Sequence, residues 1–347
     1  MRKLSLLNID HRTVLRDFCL VLRAGVVSML LGVLVGHGCM AADTPASSMP
    51  NRPVRILVGF APGGTGDIIT RVMAEQLSEI WKQPVVIENR PGASGSIGVD
   101  MVARAAKDGY TLAQISATHT VIASTMPKLP YDLARDFSPI NRSVDVAYIL
   151  VAGSSPTMTS AATIADLITT ARNKPKLVSY ATSGPGTLGH LATELFAQAA
   201  KIDMLHVPYK GSALAFPDLM SGRVDFTLAS TPEIIGPIRN RQFRAVAVTS
   251  AKRLAILPDV PALAEAVKGY EAVSWFGFVA PASIPRAVQE KLNADFSRAA
   301  MTAKARATWE DMGVVGTSAS VAQFDAHIKS ELSRWGNIVK ALGLSPN

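Results

Sequence analysis

The clearest candidate for a binding site in this sequence is a glycine-rich segment whose backbone N–H groups are accessible to a ligand. It reads Phe60-Ala-Pro-Gly-Gly-Thr-Gly-Asp67 and lies between an apolar, strand-like run and an amphipathic, helix-like run. The first N–H groups of a helix have no acceptor within that helix, and the helix dipole adds positive potential at the same end. Glycine also lets a ligand approach the backbone closely. The segment therefore predicts a site for a small anion.

A second glycine-rich turn, Ser183-Gly-Pro-Gly-Thr-Leu-Gly-His190, also follows a strand-like run and precedes a helix-like run. Its amides are expected to converge on a small volume, as those of the first turn do. Ligands of open α/β sheets bind beyond the carboxyl ends of the strands. We therefore expect two lobes that face each other across a cleft and hold one anion between the two turns.

The elements that position these turns alternate between strand and helix periods. Residues 54–60, 85–88 and 111–116 read as strands separated by helices, and this order predicts a parallel, doubly wound sheet. The pattern restarts after a strand at 147–151, and helical patterns over 287–303 and 321–342 follow. The predicted fold is α/β with two lobes, each a doubly wound sheet flanked by helices.

The first 41 residues have the layout of a secretory signal peptide. Five basic residues precede an apolar run over 24–35, and the small residues Ala41 and Ala42 follow. The run is too short for a membrane span of about 20 residues. We expect cleavage near Ala41 and export to the periplasm. Lipid attachment at Cys39 is an alternative, although Gly36 and His37 fit a lipoprotein signal poorly.

The cysteine content, the charge distribution and the histidine spacing argue against thiol chemistry, nucleic-acid binding and metal binding. Loss of residues 1–41 would remove both cysteines, Cys19 and Cys39, and with them thiol catalysis, thiolate metal sites and disulfides. The same loss would take five basic and two acidic residues from the formal charge of +8, and the remaining basic residues are scattered. This distribution does not suit a nucleic-acid groove. The six histidines form no metal-binding pattern, so we predict neither a metal nor a cofactor.

Several short motifs, taken in their joint order, resemble the tripartite tricarboxylate transporter substrate-binding family, also called the Bug receptor family of extracytoplasmic solute receptors. The resemblance covers nearly all of residues 50–342. The motifs are Pro53-Val-Arg-Ile-Leu-Val58, Ala61-Pro-Gly-Gly64 with Asp67 and Arg71, Pro84-Val-Val-Ile-Glu-Asn-Arg-Pro-Gly92, Asp108-Gly-Tyr-Thr-Leu112, His206-Val-Pro-Tyr-Lys-Gly211, Ala245-Val-Ala-Val-Thr-Ser250 and Trp275-Phe-Gly277.

The resemblance implies a two-lobed periplasmic binding protein of the Venus flytrap type, without catalytic activity. One lobe would comprise residues 50–147 and 271–347 and the other residues 148–270, with two crossing hinge strands between them. Such a receptor would bind a small organic carboxylate in the cleft and deliver it, as a monomer, to a two-subunit inner-membrane permease. A ligand sensor that docks on a membrane signalling protein is the alternative within the same class.

Carried over residue by residue, the resemblance assigns ligand binding to both turns and their neighbours. Asp67 is expected to cap and orient the first loop, because its charge would repel a carboxylate. The motif around Tyr209 and Lys210 could mainly stabilise its lobe. The predicted ligand-binding residues are Gly63, Gly64, Thr65, Asp67, Ala117, Thr118, Ser183, Gly184, Gly186, Thr187, Tyr209 and Ser230.

One departure from the family pattern bears on the ligand. Many members carry Asp or Asn after the strand equivalent to 224–228, where this chain has Ala229-Ser230-Thr231. The ammonium group of an amino-acid ligand would need a carboxylate there. The departure therefore favours a carboxylate of hydroxyl, apolar or aromatic character over an aspartate-like or glutamate-like ligand.

An exported dinucleotide-dependent enzyme is the main competing class. Gly184-Pro-Gly-Thr-Leu-Gly189 has the Gly-x-Gly-x-x-Gly spacing of a dinucleotide-binding turn. The next strand, at 204–207, is followed by no acid for the ribose hydroxyls, which that function requires. No Gly-x-Ser-x-Gly elbow of a hydrolase is present in the sequence either. The residues therefore favour a binding protein.

Overall fold

The computed structural model describes residues 49–126, 128–341 and 343. The predicted signal peptide and Cys39 lie outside these residues. The strands are β1 Val54–Val58, β2 Val85–Asn89, β3 Thr111–Ser116, β4 Phe137–Ala152, β5 Ser179–Thr182, β6 Leu205–Pro208, β7 Phe226–Ser230, β8 Arg244–Val248, β9 Val273–Pro281 and β10 Val314–Gly316.

The α-helices are α1 Thr65–Trp81, α2 Ser96–Ala103, α3 Ala117–Thr125, α4 Pro156–Ser160, α5 Ile164–Asn173, α6 Leu188–Ala200, α7 Phe216–Met220, α8 Thr231–Arg239, α9 Leu263–Ala266, α10 Arg286–Ala300, α11 Ala303–Asp311 and α12 Val321–Ala341. Two short 3-10 helices span Ala93–Gly95 and Ser212–Ala215. Over the described part of the chain, no helix combines the length and the apolar character that a membrane crossing needs.

One mixed sheet runs through the molecule in the order β2-β1-β3-β9-β4-β7-β5-β6, with β8 and β10 paired to β4. β1 pairs in parallel with β2 and β3, as the alternation of strands and helices predicted. β5 likewise pairs in parallel with β6 and β7. β9 and β4 join these two groups and run antiparallel to their neighbours. The molecule is therefore α/β with two lobes, and the strands between them are mixed rather than parallel.

β4 is the strand that links the two lobes. It has 16 residues and is much longer than the strand predicted at 147–151. Its early part pairs with β9 and β10, and its last residues, 148–152, pair with β7 and β8. Asn141, Arg142 and Asp145 interrupt the apolar pattern of the early part, which is why the sequence did not reveal its full length.

Each lobe has its own apolar core, as the chain length allows. In the first lobe, Met73 and Leu77 of α1 and Phe296 of α10 belong to one buried cluster over the sheet. In the second lobe, Phe196 of α6 packs in a cluster with Phe226 of β7. Complete burial of such a side chain stabilises the fold by about 1.5–3 kcal/mol. The loops at the strand ends are therefore positioned by two packed cores, one in each lobe.

Local capping decides where several helices begin. Thr163 and Asp166 form the predicted capping box of α5, since the N–H of Asp166 donates to Thr163 Oγ1 (3.2 Å) and the N–H of Thr163 donates to Asp166 Oδ2 (2.9 Å). The helical pattern at 287–303 is interrupted after α10 and continues as α11. The reason is Thr302, whose Oγ1 accepts from the N–H of Ala305 (3.1 Å) and starts a new helix.

Candidate ligand-binding site

A cavity of about 160 Å³ lies in the cleft where loops from both lobes meet. Its walls come from the segments that follow β1, β3, β5, β6 and β7, and from the central strands β4 and β9. This is the position that sheet topology predicts for a ligand. The lining residues are Phe60, Ala61, Pro62, Gly64, Thr65, Gly66, Ser116, Thr118, Tyr148, Ser183, Gly189, Lys210, Gly211, Ser212, Ala213, Leu214, Leu228, Glu233 and Phe276.

The N-terminal ends of three helices border this cavity. Gly66, Thr118 and Gly189, which line it, are the second residues of α1, α3 and α6. An N–H group at this helix position has no acceptor within its own helix, and each helix dipole is positive at this end. Positive potential from both lobes therefore converges on one volume, and the cavity is suited to an anion.

Asp67 organises the first glycine-rich turn. Its Oδ2 accepts from the N–H of Gly63 (2.9 Å) and from Arg71 Nε (2.8 Å), and its Oδ1 accepts from Asn89 Nδ2 (3.0 Å). Burial of the Asp67 carboxyl would raise its pKa, but these three hydrogen bonds hold the pKa below its ordinary value. Asp67 therefore orients the loop from behind the cavity wall.

Glu233 reaches from α8 across the cleft to the start of α1. Its Oε1 accepts from the N–H of Thr65 (2.7 Å) and from Thr65 Oγ1 (2.7 Å), and its Oε2 accepts from Ser212 Oγ (2.5 Å). Thr65 Oγ1 also lies 2.5 Å from Ser230 Oγ. The first N–H group of α1 is thus bound by a carboxylate of the protein itself, and a ligand must use other donors.

The second glycine-rich turn is held by its own hydrogen bonds. The N–H of Gly184 donates to Thr182 Oγ1 (3.3 Å), and Thr187 Oγ1 donates to the carbonyl of Gly184 (2.8 Å). The N–H of Gly186 donates to His190 Nδ1 (3.2 Å). The turn is therefore preorganised before any ligand binds.

Two stacked histidines support this turn from behind. The ring centroids of His190 and His206 are 4.1 Å apart, and His206 Nε2 lies 2.7 Å from Thr182 Oγ1. Burial lowers the pKa of His206 to about 4 and also lowers the pKa of His190. Both rings are consequently neutral at neutral pH, and His190 can accept the hydrogen bond from Gly186.

The two lobes touch directly beside the cavity. The N–H of Leu188 donates to Thr118 Oγ1 (3.3 Å), and Ser94 Oγ donates to the carbonyl of Pro185 (3.2 Å). Each bond joins the second turn to the first lobe. Residues of both glycine-rich turns, Gly64 and Ser183 among them, line the same cavity.

The structure separates the predicted site residues into two groups. Gly64, Thr65, Thr118 and Ser183 line the cavity. The hydroxyl of Tyr209 donates to Asp218 Oδ2 (2.7 Å), away from the cavity. The predicted residues that do not line the cavity are Gly63, Asp67, Ala117, Gly184, Gly186, Thr187, Tyr209 and Ser230.

Sequence reasoning missed the residues that supply the apolar wall and the negative charge. Phe60, Tyr148 and Phe276 line the cavity, and the last two lie on the central strands β4 and β9. The position of Tyr148 and Phe276 on strands that run between the lobes was a sequence signal that could have identified them as cavity residues. Burial raises the pKa of Tyr148, and the charge of Glu233 adds to this rise. The Tyr148 hydroxyl therefore keeps its proton and can donate.

No group of three or more His, Cys, Asp or Glu side chains is placed to hold a metal ion within the described ranges. The charged groups of the cavity wall are Glu233 and the exposed Lys210 at its edge. The site thus offers hydrogen-bond donors, one carboxylate and an apolar wall.

Comparisons with known proteins show what this chain is similar to. The family described as the tripartite tricarboxylate transporter family receptor matches residues 69–344. Protein BugT of Bordetella pertussis is 32% identical over 317 residues, which cover 90% of this chain and 96% of that protein.

Two solved structures share the fold. A structure of an R. palustris protein with adipate has a TM-score of 0.82 and 34% identity, covering 86% of this chain and 100% of that one. MatC from Rhodopseudomonas palustris with bound malate has a TM-score of 0.77 and 27% identity, covering 84% of this chain and 99% of that one.

Proposed function

Because this chain belongs to the tripartite tricarboxylate transporter receptor family, we propose that it captures a small organic carboxylate between its two lobes in the periplasm. The family consists of solute-binding receptors and not of enzymes. The adipate and malate in the two similar structures support a carboxylate ligand of comparable size.

The convergence of three helix N-termini carries this proposal. A ligand carboxylate would accept from the N–H groups of Gly66, Thr118 and Gly189 and from the Ser183 hydroxyl. Hydrogen bonds to a charged acceptor contribute roughly 1.5–3 kcal/mol each. Several of them reach the ~8 kcal/mol of a micromolar complex after ordering costs. An arginine clamp is not required.

The apolar wall would hold the body of the ligand. Phe60, Leu228 and Phe276 line the cavity together with the N–H donors. Closure of the lobes would remove water from this volume and strengthen the polar contacts. The cleft would then bind the ligand from both sides and keep the lobes closed while it is present.

Delivery to a membrane permease completes the proposed function. Residues 1–41 would direct export, and the mature monomer would pass its ligand to a two-subunit inner-membrane permease. The proposed lobes, 50–147 with 271–347 and 148–270, meet where β4 changes its pairing partners. Closure of these lobes would signal to the permease that the receptor is loaded.

The contact at Gly186 argues against a dinucleotide-dependent enzyme. A Cβ on this middle glycine would lie only 2.5 Å from Thr125 Oγ1 of the opposite lobe. In a dinucleotide-binding turn the pyrophosphate approaches the backbone at the second glycine, and here Thr125 occupies that space. The spacing of the glycines thus serves close packing of the lobes.

A ligand panel tests the proposal. The full-length protein would be exported in its host, purified from the periplasm and screened with mono-, di-, hydroxy- and aminocarboxylates and with NAD. We expect at least one carboxylate to raise the Tm and to bind with micromolar Kd by calorimetry, without turnover. Stabilisation by NAD but by none of the carboxylates would contradict the proposed function.

A further inference from the structure

Glu233 places a carboxylate where a ligand would otherwise meet the start of α1. Oε1 already accepts two hydrogen bonds from Thr65, and Oε2 accepts one from Ser212. A carboxylate offers about four acceptor positions. One position therefore remains on the side chain that lines the cavity.

The charge of Glu233 has no close cation to balance it. No Lys, Arg or His nitrogen of the described residues lies within 4.0 Å of its carboxylate, and the Lys210 side chain is exposed at the rim. The phenol of Tyr148 responds to this charge, because Glu233 adds to the rise in the Tyr148 pKa that burial causes. The field of the carboxylate is therefore felt inside the cavity.

A second anion would be repelled near Glu233, whereas a hydrogen-bond donor would be attracted. Like charges at short range disfavour each other strongly where water is excluded. A hydroxyl or ammonium group could instead donate to the open position of Glu233. The cavity wall thus presents two opposite preferences, N–H donors at Gly66, Thr118 and Gly189 and a carboxylate acceptor at Glu233.

We propose that Glu233 determines the ligand class and selects a monocarboxylate whose far end carries a hydrogen-bond donor, a hydroxyl or an ammonium group. This inference rests on the proposed carboxylate-receptor function. It separates this receptor from the similar proteins with adipate and malate, both of which are dicarboxylates. It also supplies the acid that Ala229-Ser230-Thr231 lacks, from a residue two positions after Thr231 in the first turn of α8.

Matched ligand pairs test the inference by calorimetry. The pairs are 6-hydroxyhexanoate with adipate and 4-hydroxybutyrate with succinate, and 6-aminohexanoate and 4-aminobutyrate identify which donor is preferred. For the wild type we expect the donor-bearing ligand to bind about 10-fold or more tightly than the dicarboxylate of equal length. In Glu233→Gln, this preference should shrink by about 10-fold, mainly because the dicarboxylate gains affinity.

Two further variants control for folding and for charge in general. Glu290→Gln, on the exposed face of α10, should keep the wild-type preference. Glu233→Asp keeps the charge, so it should retain the sign of the preference even if the interlobe hydrogen bonds are weakened. If Glu233→Gln does not fold, the wild-type comparison decides by itself, because equal affinity for the paired ligands overturns the role of Glu233.

The outcomes distinguish two kinds of failure. A wild-type protein that binds a dicarboxylate as tightly as its hydroxy partner would overturn the role of Glu233 and leave the receptor function intact. An unchanged preference in Glu233→Gln would have the same meaning. Absence of binding by any carboxylate would overturn the proposed function, and this inference with it.

Discussion

At Gly64, the charge of a new side chain should affect ligand binding more than its volume. Gly64 precedes α1 with an ordinary extended backbone, φ −76° and ψ 164°. A Cβ added there would lie 3.3 Å from the carbonyl oxygen of Ala61 and 3.7 Å from Glu233 Oε1. Glycine is therefore not required by its backbone angle, and substitutions at this position report on what the cavity tolerates.

Gly64→Asp should abolish ligand binding. The new carboxylate would enter a cavity that already holds the charge of Glu233, and it would repel the carboxylate of the ligand. We expect affinity to fall by at least about 100-fold, which corresponds to about 2.7 kcal/mol, as measured by calorimetry with the best ligand of the panel. Gly64→Asn has nearly the same shape without the charge and should lose much less. Equal losses in the two variants would show that space, and not charge, is decisive.

His119 should make the stability of the fold sensitive to mild acid. The ring is fully buried beneath the first turn, and its Nδ1 accepts from the N–H of Ser116 (3.0 Å). Burial lowers the pKa of His119 from 6.5 to about 4. The unfolded chain therefore takes up the proton more readily, and stability is lost as pH falls from about 6.5 towards 4.

The matched variant is His119→Gln, because Gln at this helix position can still accept from Ser116 without titrating. The free energy of unfolding should fall by about 2–3 kcal/mol less between pH 7 and pH 4.5 in the variant than in the wild type. Urea unfolding at the two pH values measures the difference. Parallel pH profiles would mean that His119 does not titrate in this range.

Among the elements, the C-terminal helix is tied to a central strand through one buried acid. Glu331 of α12 is 6% exposed, and its Oε2 accepts from Trp275 Nε1 of β9 (3.2 Å) and from Trp335 Nε1 (2.9 Å). These bonds hold a strand that contributes Phe276 to the cavity. Glu331 therefore supports a cavity-lining strand from outside the cavity wall.

Glu331→Ala should destabilise the protein by about 2–5 kcal/mol, because it leaves two buried indole N–H groups without an acceptor. The midpoint of urea unfolding measures this change. Glu331→Gln keeps an acceptor oxygen and should lose clearly less. Asp325→Ala removes an exposed ion pair with Lys329 on the same helix and should cost under about 1 kcal/mol. Similar losses in all three variants would contradict the role of the buried acid.

For the whole molecule, closure depends on a fit between α3 and the second turn. Gly186 has φ +71°, and a Cβ there would lie 2.5 Å from Thr125 Oγ1 across the cleft. The fit is close enough that one methyl group should hold the lobes apart. Lobe closure can therefore be tested separately from ligand chemistry.

Gly186→Ala should weaken ligand binding by about 10-fold or more and leave the ligand-bound protein more expanded by small-angle X-ray scattering. Thr125→Ala in the same chain removes the clashing oxygen and should restore part of the affinity. Gly269→Ala is the matched control, since Gly269 has φ +80° but no atom within 4 Å of an added Cβ. Gly269→Ala introduces the backbone strain without a steric clash, so this variant should bind the ligand with wild-type affinity. A failure of Thr125→Ala to rescue would assign the defect to strain in the turn.

The sequence by itself determined the local features of this protein. The glycine-rich turns, the parallel strand groups and the capping box at Thr163 follow from spacing and residue type within short stretches. The motifs in their joint order also identified the family. Such features depend on contacts a few residues apart, so a linear pattern can reveal them.

Only the tertiary structure decided which donors remain for a ligand and which charge faces it. Thr65 and Glu233 lie 168 positions apart, and no local pattern reveals that one binds the other. Tyr148 and Phe276 enter the cavity because β4 and β9 pair side by side in a mixed sheet. Long-range pairing and packing set these neighbours, so the chemistry of the cleft is a property of the assembled fold.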